Sequence, residues 1–116
     1  MMIETKIGVP MDAEMLANYF RTLVNLLFKI LPIREANEPT LSTYISSLQA
    51  EIMGCNEFIV AIHNDPMVLT IISILQYLSD NPDCDIRVVK REVFRSINIC
   101  NKLRAKYVSE MRDMAQ

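Results

Sequence analysis

The chain has 116 residues, enough to bury one hydrophobic core. Apolar residues make up 51% of it and there are only two glycines, Gly8 and Gly54, too few to turn a many-stranded sheet, which argues against an all-β fold. The net charge of −2 conceals a split: from Ile86 onward eight basic residues face three acidic ones, a net +5, while the remainder carries −7, and such a split points to a charged binding surface or to complementarity between segments.

The first ten residues alternate weakly over "IETKI" and form either a short strand or a loose arm. A first helix is expected over about 13–31. Asp12 suits its N-cap, Glu14 favours its first turn, and the chain should leave the helix before Pro32. Asn18, Arg21, Thr22, Asn25 and Lys29 fall on one narrow stripe, so the remaining apolar surface is buried on several sides. "PIREANEP" reads as a connector, with Pro39 in the first turn of a second helix over about 40–63. Leu41, Ile45, Leu48, Ile52, Cys55, Ile59 and Ile62 step by four and three, a heptad seam of three repeats. Gly54 interrupts that helix, and a close helix contact would explain it.

"HNDPM" is the clearest boundary: Asn64 ends one helix, Asp65 caps the next, and Pro66 takes its first position. The third helix, about 66–79, is apolar on most sides. Its β-branched residues also admit a strand, but the Asp-Pro start and the length favour helix. After "SDNPDCD", Asp85 caps a fourth helix over about 86–114. There Ile86, Val89, Val93, Ile97, Cys100, Leu103, Tyr107, Met111 and Met114 share one face. Arg87, Arg91, Arg95, Lys102 and Lys106 gather on the opposite face. The expected fold is a single all-α domain: a four-helix up-down bundle with a long last helix and a short N-terminal arm.

That basic stripe is the leading candidate site, either as a phosphate-contacting face or as a face for an acidic partner. Its plain alternative is a solvated helix side. Nucleic acid fits less well, because RNA recognition adds exposed aromatics and only Phe94 and Tyr107 lie in this helix, Tyr107 on its apolar side. A helix-turn-helix within 71–107 would need a turn at "FRS"; no glycine sits there and the apolar seam runs through it.

His63, the single histidine, has no ligand signature around it and suits a helix C-terminus. Asp80, Asp83 and Asp85 lack the glycine and terminal glutamate of an EF-hand loop and suit turns and caps. No Glu-x-x-His pair, GxSxG elbow or phosphate-binding glycine loop occurs. Cys55 and Cys100 lie on apolar seams, and Cys84 is flanked by carboxylates that disfavour its thiolate. The expectation is therefore a protein without enzymatic machinery or cofactor.

Three cysteines without a CxxC, no secretory pattern in "MMIETKIGVP" and no apolar run of membrane length suggest a cytoplasmic protein away from membranes. The first and third helices carry more apolar surface than a bundle needs, and the surplus points either to a long core or to an exposed interface. On that ground a homo-oligomer is expected, most simply a dimer, with Met15, Phe20, Leu27, Ile71 and Leu75 as interface or core residues. The function would be binding: an adaptor, regulator or assembly protein with a protein partner, and nucleic acid as the alternative ligand.

Overall fold

The computed structural model describes residues 2–3, 11–59 and 62–115, with side chains over 14–57, 59 and 62–109. Met2–Ile3 (β1) pairs antiparallel with Met11–Asp12 (β2), Met2 opposite Asp12. The short-strand alternative thus holds for Met2 and Ile3 of the first ten residues; residues 1 and 4–10 lie outside the described residues, and Asp12, expected at the first helix's N-cap, pairs in β2.

Four long helices follow: α1 (Ala13–Phe28), α3 (Leu41–Phe58), α4 (Pro66–Asp80) and α5 (Ile86–Ala115), with a short α2 (Ile30–Glu35) continuing from α1. Contacts between neighbours pair their sequences in opposite directions. Phe20 meets Tyr107 and Phe28 meets Phe94 along α1 and α5. Ser46 meets Ser79 and Gln49 meets Gln76 along α3 and α4. The fold is an all-α up-down bundle, and its 48 Å long axis matches the ~45 Å expected of the thirty-residue α5.

The core is one continuous cluster, and the helical periodicities locate it. The seam of α3 is buried from Leu41 through Ile45, Leu48 and Ile52, with Cys55 half-buried. On α5, Val89, Val93, Ile97, Cys100, Leu103 and Tyr107 are buried and Ile86 is packed against them. Met111 and Met114, expected on the same face, lie outside the described side chains. Phe20 stacks on Tyr107 with ring centroids 6.2 Å apart. Burying aromatic side chains of this size is among the largest single contributions a small core receives.

The structure corrects several local expectations. Pro32 does not end the first helical course. The break falls at Lys29, and Pro32 lies in the first turn of α2. In one continuous helix its ring would meet the Phe28 carbonyl, whereas a first turn has spare N–H groups and tolerates proline. "PIREANEP" is consequently half helix. It closes with Asn37 at φ 52°, Asn37 N–H bonded to the Arg34 carbonyl and Glu38 N–H to the Ile33 carbonyl, a Schellman ending. Pro39 lies ahead of α3, whose N-cap is Thr40.

The second expected helix is also shorter. It ends at Phe58 rather than His63, and Ile59 is extended. The β-branched Ile59 and Ile62 resist helix, yet both still reach the core. Gly54 makes no close helix contact: nothing stands within 4 Å of where a side chain would begin. The strand alternative for 67–78 is replaced by the helix α4. Helix-turn-helix is excluded as well, because α5 runs unbroken through Phe94-Arg95-Ser96.

The caps at the α4 and α5 starts follow the sequence expectation. Met67 N–H bonds the Asp65 carboxylate at 2.8 Å with Pro66 next in line, and Arg87 N–H bonds the Asp85 carboxylate at 2.8 Å. Asn64, at φ 57°, supplies the left-handed residue before Asp65. Among the described residues, no helix is long and apolar enough to cross a membrane.

Candidate functional site

The five basic residues of the stripe, Arg87, Arg91, Arg95, Lys102 and Lys106, are all exposed on the outer side of α5, opposite the buried seam. They are not equivalent. Glu92, one residue toward α4 and largely covered, takes Arg91 at 3.1 Å and Arg95 at 3.4 Å. Its carboxylate therefore holds two guanidinium groups in place and leaves this cluster a net +1. The Lys106 ammonium lies 5.4 Å from the Tyr107 ring centroid. Arg87 and Lys102 have no ion pair among the described residues. Lys90, off the stripe, reaches Glu35 at 3.8 Å.

Arg91, Glu92 and Arg95 form one wall of an open groove of about 580 Å³ between α4 and α5. Leu69, Ser73 and Tyr77, spaced four residues apart on α4, form the other wall, and buried Ile74 lies beneath. Leu69 is 39% exposed and Tyr77 44%, although both sit in an otherwise apolar helix. On the far side of α5, exposed Phe94 packs edge-on against exposed Phe28, centroids 5.8 Å apart. The outer face of α5 is thus a basic ridge with apolar flanks. Of its exposed aromatics, Phe94 belongs to α5 itself, whereas Tyr77 and Phe28 come from neighbouring helices, where a reading of α5 alone could not find them. The one available signal was the apolar surplus of the first and third helices.

That surplus divides cleanly. Phe20, Leu27, Ile71 and Leu75 are core residues of a single chain, at most 2% exposed, which resolves the interface-or-core choice toward core for these four. Met15 is on the surface, 57% exposed. Leu69, Tyr77 and Phe28 carry the outward remainder.

The other candidates have structural duties. His63 Nδ1 lies 3.1 Å from the Asn56 carbonyl in the last turn of α3, and Asn64 N–H donates to the Asn56 side-chain oxygen at 2.9 Å. With its proton on Nδ1, His63 donates to that carbonyl and accepts from the Asn64 amide at Nε2, 3.2 Å away. The His63 imidazole and buried Asn56 together finish a helix end. Asp80 accepts from Gln76 and Asp85 caps α5, while the Cys84 carbonyl accepts from Arg34 at 3.0 Å, tying α2 to the last turn. Among the described residues, no group of three His, Cys, Asp or Glu side chains could hold a metal ion.

Among the described residues, buried Cys100 and partly buried Tyr19 and Tyr44 have their pKa values raised, with burial the leading cause in each. The Cys100 thiol is pushed up to about 12. The Tyr19 hydroxyl is raised by burial and further by Cys55, and the Tyr44 hydroxyl by burial and by Glu51. Tyr44 donates to the Leu26 carbonyl at 2.6 Å, linking α3 to α1. A thiol held protonated in this way is no nucleophile near neutral pH. Comparison with protein families, curated proteins and solved structures finds no match to this chain.

Proposed function

We propose that this chain is a non-enzymatic interaction module and that it binds an acidic partner through the α4–α5 face. The observation that carries the reading is one groove that combines an apolar wall, Leu69 and Tyr77, with two guanidinium groups oriented by Glu92. Exposed apolar surface beside fixed charge is how interfaces combine affinity with specificity. Arginine and tyrosine are the residue types most often found to dominate binding energy.

Nucleic acid is the second reading. Exposed Phe94 and Phe28 beside the basic ridge favour it, since bases stack on such rings. The chain's overall negative charge and the covered Glu92 carboxylate weigh against a run of phosphates.

Fluorescence anisotropy separates the two. A labelled poly-glutamate and a labelled single-stranded oligonucleotide are titrated against the wild type and against Arg91→Glu with Arg95→Glu. The proposal expects poly-glutamate to bind and the double variant to lose that binding while its circular dichroism stays unchanged. Binding of the oligonucleotide alone would favour the second reading. Self-association is a separate proposal. Of the five residues first assigned to it, only Met15 is on the surface, and a one-chain mass by light scattering would remove it.

A further inference from the structure

The groove has a repeat as well as a charge. Arg91 and Arg95 are four residues apart on one helix, which spaces them by ~6 Å along its axis. Leu69, Ser73 and Tyr77 are likewise one turn apart each, so the facing wall, apolar at Leu69 and Tyr77 and polar at Thr70 and Ser73 between them, runs for ~12 Å beside them. Two walls with a helical repeat leave a furrow that matches the same repeat on a third helix, the ridge-into-groove relation by which helices pack. A partner helix with carboxylates at i and i+4 presents them ~6 Å apart, in step with the two guanidinium groups. Its apolar residues at i, i+3 and i+7 of the adjoining stripe would then face Leu69 and Tyr77.

The charge argues against two other occupants. Arg91, Glu92 and Arg95 sum to +1, with both guanidinium groups oriented by Glu92; that charge suits one or two carboxylates but offers little to a polyphosphate strand, whose affinity grows with each neutralised phosphate. A second copy docked groove to groove would bring two copies of the same +1 cluster into one interface, since a two-fold interface buries the same patch from both subunits. Like charges so placed are repulsive.

We infer that the α4–α5 groove is the docking site of an acidic amphipathic helix of a partner protein, its carboxylates on Arg91 and Arg95 and its apolar face on Leu69 and Tyr77. This inference rests on the reading of the α4–α5 face as an acidic-partner surface and adds the partner's conformation and pattern.

The test uses the full chain and two labelled peptides of about 18 residues, five helical turns. Both contain the same leucines, glutamates and alanines. In one, leucines occupy a single helical face with glutamates flanking them at i and i+4; in the other the order is scrambled. A single-stranded oligonucleotide is the third probe. The inference expects the patterned peptide to bind and to gain helical circular dichroism on binding. It expects the scrambled peptide to bind at least about ten-fold more weakly, and Tyr77→Ala or Arg91→Gln with Arg95→Gln to weaken the patterned peptide by about ten-fold or more. Equal binding of both peptides would overturn the helix assignment and leave the acidic-partner reading standing. If neither peptide bound, or only the oligonucleotide did, both would fall. A patterned peptide that bound the double arginine variant as well as the wild type would also overturn both.

Discussion

Gly54 lies in the interior of α3, and nothing in the structure stands within 4 Å of a side chain placed there. Glycine at such a site loses backbone entropy on folding without any packing return. Gly54→Ala is therefore expected to stabilise the protein by roughly 0.5–1 kcal/mol, read from the midpoint of urea unfolding. A destabilised variant would mean that something does occupy the space. Cys100 poses the opposite case, a fully buried thiol pushed up to about 12. Under native conditions near pH 8, thiol labelling should reach Cys55 and Cys84, both partly exposed, while Cys100 reacts only after denaturant is added. Single residues were most legible in the sequence where the physics is local. Asp65 and Asp85 cap helices because a carboxylate one step before a helix satisfies its spare N–H groups, whatever lies elsewhere in the fold. Gly54 was misread because only tertiary packing reveals whether a missing side chain makes room for a neighbour.

At the scale of elements, α5 is the decisive case. Its buried seam and basic face follow from a single period of 3.6 residues, and this continuity separates one long helix from a helix-turn-helix. Arg95→Pro tests it. Proline there removes a main-chain hydrogen bond and clashes with the Arg91 carbonyl, costing about 3 kcal/mol or more in a continuous helix. Arg95→Ala, which removes only the surface pair with Glu92, should change stability by less than about 1 kcal/mol. Equal effects of the two substitutions on thermal unfolding would contradict the unbroken helix. The ends of α1 and α3 were less legible. Pro32 has two compatible positions, beyond a helix or in the first turn of the next, and the choice depends on α2 packing against α5. The end of α3 at Phe58 reflects the β-branched Ile59; Ile59 and Ile62 continue the heptad spacing although the helix has stopped. Periodicity alone cannot distinguish a helical residue from an extended one that happens to point inward.

The whole molecule couples its core to pH. The Cys100 thiol titrates near 9.0 when free and near 12 when folded, so between those values the unfolded chain binds fewer protons than the native one. Stability from this group is complete below about pH 9 and is lost as the pH rises toward 12; the raised Tyr19 hydroxyl acts in the same direction. Urea midpoints should fall progressively above about pH 9, with a shallower fall in Cys100→Ala. An identical slope in that variant would show that the thiol is not the source. The fold class was legible because a bundle is the sum of amphipathic helices and short connections. The groove was not, because its walls belong to two helices and its apolar wall looked like core: Leu69 and Tyr77 are exposed only because α4 sits at the edge of the packing that buries Ile71 and Leu75. The central functional claim concerns that groove. The most direct measurement is amide nuclear magnetic resonance of the labelled chain during titration with the patterned acidic peptide. Shifts are expected to concentrate on residues 69–77 and 91–95, with the exposed side of α3 unmoved. Shifts centred on α3, or none at all, would contradict it.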